Sequence, residues 1–211
     1  MEPIVTVVEI VINMYRQTTV PGRFAYIFWS MFVLIYLYTD LYERLHGLSM
    51  KKQRKLKRWN YPATLYLLGV ATITTHHLTL ANGRAIPLPW DFAVLGIVGF
   101  VIMAVGLTLV CLSRASINGY WGANIYDYGS HNILVTSGIY NFTRHPTYDG
   151  QLLMSIGTVL MANNFCVIFF PVLTFIANTF RALREEKDLS ERFPEAFKEY
   201  KDKRPFLMGI L

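Results

Sequence analysis

Charge is scarce in this chain. Asp, Glu, Lys and Arg make up 16% of its 211 residues, against roughly 25% in ordinary soluble domains. Cysteine is scarcer: Cys111 and Cys166 each sit inside an apolar run. With no CxxC or Cys/His cluster beside them, neither a disulfide framework nor a metal site is indicated, and both read as small buried residues. No G-x-G-x-x-G opens a βαβ unit, so no Rossmann-type site is expected. The net charge is +6, but no basic stripe is interleaved with exposed aromatics on a polar domain, which argues against nucleic acid. Residues 1–14 are apolar yet begin with Glu2 and lack a basic n-region and a small-residue cleavage site, which argues against a removable signal peptide.

What is plentiful is apolar length, at 53% hydrophobic residues. Residues 4–14 are too short to span and carry Glu9 and Asn13; they read as an interfacial or packing helix ended by Pro21-Gly22. Residues 24–42, uncharged up to Asp40 and aromatic at both ends, predict a first transmembrane helix. Six positive charges within residues 51–58 follow as a stop-transfer cluster. Residues 61–80 predict a second span, with His76 and His77 in a capping or interfacial role. Residues 92–112 predict a third, where Gly96, Gly99 and Gly106 permit close helix packing.

From Ser113 to Asp149 the chain reads as polar and irregular. Residues 150–162 and 165–180 are apolar again, each short for a span of about 20 residues, and only Asn163-Asn164 parts them. They predict a helical hairpin whose first helix is extended by about a turn. The charged tail, residues 181–204, is expected at or outside the membrane surface, bent at Pro194. The fold class is therefore all-α, a polytopic membrane bundle of about five transmembrane helices. It divides into residues 1–112 and a second part, 113–211, that holds the polar loop, the hairpin and the charged tail. Five spans put seventeen Lys and Arg on one side and three, Arg16, Arg23 and Arg84, on the other. That asymmetry places the N-terminus outside and the tail in the cytoplasm. A prokaryotic cell membrane is preferred to the endoplasmic reticulum.

The stretch 134–150 (LVTSGIYNFTRHPTYDG) is polar and turn-rich between apolar runs, and irregular backbone at a membrane needs satisfied amides. Pro146 suits the first position of a helix, so Thr143, Arg144 and His145 stand where free amides and the helix dipole favour an anion. Gly138 supplies a turn through which a ligand approaches the backbone, and Tyr140 and Tyr148 offer aromatic faces. Glu185 and Glu186 add carboxylates at a depth where a partner is needed. Together these residues suit a zwitterion such as an amino-acid moiety. Alternatively, Arg144 and Glu186 pair with each other and pin the tail to the loop.

The pattern Leu134-Val135-Thr136-x-Gly138-x-Tyr140, then Arg144-His145-Pro146-x-Tyr148-x-Gly150, resembles the signature of isoprenylcysteine carboxyl methyltransferases and their phospholipid methyltransferase relatives. Glu185-Glu186 and Phe193-x-x-x-Phe197-x-x-Tyr200 look like its remainder, so the likeness covers residues 133–205. It implies an integral membrane methyltransferase using S-adenosylmethionine, leaving S-adenosylhomocysteine, with a lipophilic or lipidated acceptor drawn from the bilayer. Carried over, Leu134, Val135 and Gly138 touch the adenosine part, with Tyr140 and Pro146 beside them. His145, Tyr148, Glu185, Glu186 and Tyr200 fix its polar groups. Arg144 meets the methionine carboxylate or the acceptor, and Glu186, Lys203 and Arg204 complete the catalytic set. Methyl transfer is an in-line displacement, so alignment and exclusion of water are the protein's main tasks. A carboxylate acceptor needs no general base; an amine would need Glu185, Glu186 or His145.

The chain departs from the pattern in three places. Lys203 stands at the usual arginine position, with Arg204 adjacent, and Lys does not reproduce bidentate carboxylate binding. Phe197 replaces a common tyrosine, and Asn118-Gly119-Tyr120-Trp121 only loosely echoes an upstream Asn-Trp element. Sterol-type membrane reductases, which use NADPH, share the Arg-His-x-x-Tyr-x-Gly core. Their Asn and acidic residue are replaced here by Thr147 and Gln151. A non-catalytic membrane scaffold is the third possibility.

Overall fold

The computed structural model describes residues 92–117 and 134–207, with parts of 69–89. The expected first span, the basic cluster, most of the second span, His77 and residues 118–133 lie outside the described residues. Among the described residues four complete α-helices follow one another: α1 (Phe92–Ile117), α2 (Pro146–Ala162), α3 (Phe169–Arg192) and α4 (Pro194–Lys203). Short 3-10 turns at Gly138–Asn141 and Phe165–Val167 precede α2 and α3.

Helix α1 continues past Leu112, where the sequence predicts an irregular segment. Ser113–Ile117 is polar but holds no Gly or Pro, and polarity alone does not stop a helix. The α1–α2 contact is built on glycine. Gly99 lies against Gly157 and Gly106 against Gly150, so that a Cβ on Gly106 would stand 2.6 Å from the Gly150 carbonyl and one on Gly157 2.6 Å from that of Gly99. Both pairs are seven residues apart in each helix, which places them two turns apart on facing stripes. Backbones meeting this closely gain dispersion contacts that any side chain would prevent. Met103, Val110, Met154 and Met161, all fully buried, pack around the glycine pairs.

The joint of the hairpin is more elaborate than a two-residue turn. Asn163 adopts a left-handed conformation (φ 45°) that ends α2, a geometry asparagine tolerates better than most residues. Its side chain accepts a hydrogen bond from the Leu88 amide at 3.0 Å. Asn164 caps the 3-10 turn through the Cys166 amide and meets His76 Nδ1 at 3.3 Å. His76 is thus part of the end of the hairpin, in keeping with a capping role.

Helix α2 begins at Pro146, one turn before the apolar run. Helix α3 runs unbroken from the apolar residues into the charged ones. The tail therefore prolongs the second hairpin helix, because ALREEKDLSER consists mainly of strong helix formers. The chain bends at Phe193-Pro194, as Pro194 predicts. Ala93–Ile117 and Phe165–Arg192 are long and apolar enough to cross a membrane. Ile97, Val101 and Val105 on α1 and Val172, Ile176 and Phe180 on α3 remain exposed, as suits a membrane protein. Only part of the five-span count falls within the described residues.

Candidate active site

Where α2 begins, four segments converge: the loop 138–145, the first turn of α2, the middle of α3, and α4 with the residues after it. His145 is the N-cap of α2, and its carbonyl accepts the amides of Tyr148 and Asp149. That places Tyr148 one turn along, with its ring stacked 5.7 Å from the imidazole. Glu185 and Glu186, adjacent on α3, face His145 from both sides. Its Nε2 lies 3.2 Å from Glu186 Oε1 and its Nδ1 3.6 Å from Glu185 Oε2. Burial disfavours the imidazolium, but hydrogen bonds to the two carboxylates outweigh it and raise the pKa above its ordinary value. As an imidazolium, His145 donates from Nε2 to Glu186, with Glu185 facing Nδ1 as a second counter-charge.

Arg144 does what the second sequence reading anticipated, and more. Its Nε donates to Glu186 Oε1 at 2.7 Å. Its Nη1 donates to the carbonyls of Lys201, at 3.0 Å, and Arg204. Its backbone amide bonds the Pro205 carbonyl at 3.1 Å, and the guanidinium lies over the Phe206 ring. Lys201 Nζ reaches Glu186 Oε2 at 3.3 Å. Glu186 thus collects Arg144, His145 and Lys201, and pins the tail to the loop.

Glu185 is held by a separate set. Tyr148 Oη donates to its Oε1, and Arg181 Nε, one turn back on α3, lies 2.7 Å from Tyr148 Oη and 3.2 Å from the same carboxylate oxygen. Tyr200 Oη donates to the Tyr140 carbonyl at 2.7 Å, tying α4 to the 3-10 turn. Burial, with Glu186 nearby and despite Arg144 and Arg204, pushes the Tyr200 phenol up to about 12, so it remains a donor.

The other predicted residues fall around this cluster. Leu134 and Val135 are half-buried and lead into Gly138, whose φ of +62° is the left-handed conformation glycine accepts freely. A Cβ there would also stand 2.7 Å from Ser116 Oγ at the end of α1. Lys203 pairs with Glu199 on the exposed face of α4 at 2.5 Å. Arg204 reaches Asn141 Oδ1 at 2.5 Å and offers its carbonyl to Arg144. Phe197 is buried and its ring lies 6.3 Å from that of Tyr200.

Asp149, Arg181, Lys201 and Phe206 were not singled out from sequence. Asp149 is buried in the first turn of α2 and accepts a 2.7 Å hydrogen bond from Thr143, so the anion that this helix start favours is partly supplied by the chain itself. The spacing of Arg181 and Glu185, four apart on one helix, was the available signal. Phe206 packs edge-on at 5.0 Å from His145; it lies beyond the last charged residue, where no pattern marks it.

This geometry falls largely within a segment with known relatives. Residues 94–196 match the phospholipid methyltransferase family, a match that reaches back through α1 well before Ile133. Protein-S-isoprenylcysteine O-methyltransferase of Xenopus laevis is 39% identical over 82 residues, covering 36% of this chain and 28% of the relative. The B form from Arabidopsis thaliana is 37% identical over 76 residues, covering 36% and 39%. The Homo sapiens protein is 37% identical over 82 residues, covering 36% and 29%. The chain thus spans well under half the length of these relatives. The match over residues 94–196 takes in the glycine-packed helices, the Arg144–His145 loop and both carboxylates, and over that segment the chain is similar to the phospholipid methyltransferase family.

Proposed function

We propose that the protein is an integral membrane methyltransferase that uses S-adenosylmethionine and methylates a lipophilic acceptor. The observation that carries this is the meeting of the Arg144–His145 pair with Glu185 and Glu186 at one end of the hairpin, inside the segment the family match covers. Four basic groups, Arg144, His145, Arg181 and Lys201, meet two carboxylates, Glu185 and Glu186. A cluster with both signs closely interleaved suits a ligand that itself carries both. Leu134, Val135, Gly138 and Tyr140 offer an apolar approach ending in open backbone, which fits a nucleoside.

When bound, the cofactor supplies an electrophilic methyl group. Leu134, Val135, Gly138 and Tyr140 would hold its adenosine part, and Glu185, Glu186, His145 and Tyr148 its charged end. Tyr200 keeps α4 closed over the loop, and Arg144 secures the tail, which excludes water. His145 is committed to two carboxylates, with Nε2 3.2 Å from Glu186 and Nδ1 3.6 Å from Glu185, which makes it a poor base. That favours an acceptor already nucleophilic, such as a carboxylate, over an amine. Arg144 and Arg204 are the cations suited to orient it, while Lys203 is paired with Glu199 on the exposed face of α4. The relatives named above are isoprenylcysteine O-methyltransferases, which points the same way and lends nothing to the NADPH-dependent reductase reading. We place the N-terminus outside and the tail in the cytoplasm on the seventeen-to-three charge asymmetry.

The test is incubation with methyl-labelled cofactor and fractionated membrane lipids and prenylated peptides. Label appearing as a base-labile ester is expected. Transfer only to amine headgroups would reject the carboxylate reading, and no transfer to any fraction would reject the activity.

A further inference from the structure

We infer that Arg181 is a positioning residue for the cofactor's charged end, acting through Tyr148 and Glu185. This rests on the methyltransferase reading. Arg181 reaches both of those side chains at once. Its Nε lies 2.7 Å from Tyr148 Oη and 3.2 Å from Glu185 Oε1, while Tyr148 Oη donates to that same oxygen. The three groups form a closed triangle between α2 and α3. Asn178, one turn earlier on α3, fixes the other end of Tyr148 by donating to its backbone carbonyl at 3.1 Å. With Oε1 held by two donors, Glu185 turns Oε2 towards His145 Nδ1. The Arg181 side chain is 27% exposed, that of Glu185 14%, so the triangle closes the outer side of the cluster while its inner members face His145.

A simple i,i+4 surface pair contributes little. Here the arginine has a second partner on another helix, and that partner is a residue of the proposed cofactor site. Loss of Arg181 would remove one of the two donors on Glu185 Oε1 and the donor to Tyr148 Oη, loosening both side chains. Orientation of the ligand would suffer before the fold did.

The experiment is a double-mutant cycle in S-adenosylhomocysteine affinity, measured calorimetrically on the full chain in detergent. Its members are Arg181→Gln, Tyr148→Phe, both together, and Arg181→Lys. Arg184→Gln, an exposed arginine on the same helix, controls for loss of charge. Arg181→Gln is expected to weaken binding about tenfold, the scale of a hydrogen bond to a charged group. The double variant should be no weaker than the worse single, Arg181→Lys should recover part of the loss, and Arg184→Gln should bind as the unaltered chain does. KM for the donor should rise more than kcat falls. Arg181→Gln binding like the unaltered chain, or losses that multiply in the double variant, would overturn this inference alone. Failure of the unaltered chain to bind S-adenosylhomocysteine would overturn the cofactor reading and this inference with it. Thermal unfolding of each variant separates lost binding from lost fold.

Discussion

Glu186 shows how one residue joins the parts of the site. It sits on α3, its carboxylate meets Arg144 and His145 from the loop before α2, and Lys201 reaches it from α4. Side chains of both Glu186 and Arg144 are only 7% exposed. Removing one partner of such a pair strands the other charge, at a cost of about 3–5 kcal/mol. Glu186→Ala is therefore expected to lower the unfolding temperature in detergent and to abolish methyl transfer, whereas a non-catalytic scaffold would keep its function with alanine here. His145 adds a pH dependence. Its pKa is raised in the folded chain. Its stabilisation is thus complete below the unfolded value, about 6.5, and is lost as pH rises through the higher folded value. Unfolding temperatures recorded between about pH 6 and pH 9 should fall more steeply for the unaltered chain than for His145→Gln. Parallel curves would mean that folding does not raise the His145 pKa.

At the scale of elements, the site depends on two helices that approach through glycine. Gly106 and Gly150 set α1 against the first turn of α2, only a few residues from His145. Across the same junction Ser113 Oγ and Thr147 Oγ1 lie 2.6 Å apart. A leucine at Gly106 would need the helices to separate, and overpacking of this kind costs about 1–3 kcal/mol or more. Gly106→Leu is expected to lower the yield of folded protein and to weaken cofactor binding although it touches no ligand group. Unchanged binding would show that α1 does not position the loop. The glycines were visible in the sequence as a packing signal, but their partners were not, because register between helices depends on contacts that no local pattern records. The hairpin was legible from Asn163-Asn164 and the start of α2 from Pro146. The continuity of α3 was not, since the change from apolar to charged residues after Phe180 resembles a boundary while helix propensity carries straight through it.

Over the molecule as a whole, the site exists only because distant segments return to one another. The amide of Arg144 bonds Pro205, Thr143 reaches the Phe206 carbonyl at 2.9 Å, and Tyr200 bonds Tyr140. Phe206 and Leu207 join the same apolar core as Met103 and Met154. The residue types were readable in advance: Arg144, His145, Tyr148, Glu185, Glu186 and Tyr200 do come together. Their pairings were not, because the charges that suit a zwitterion are the charges that suit each other. Lys203 illustrates the limit. Its place in the motif marks it as the arginine substitute, yet on α4 it meets Glu199, while the neighbouring Arg204 supplies the carbonyl that Arg144 uses. The measurement that bears most directly on the whole account is calorimetric binding of S-adenosylhomocysteine and NADPH to the purified chain in detergent. Saturable binding of S-adenosylhomocysteine, lost in Glu186→Ala, is expected, and none of NADPH. Binding of NADPH without S-adenosylhomocysteine would contradict it.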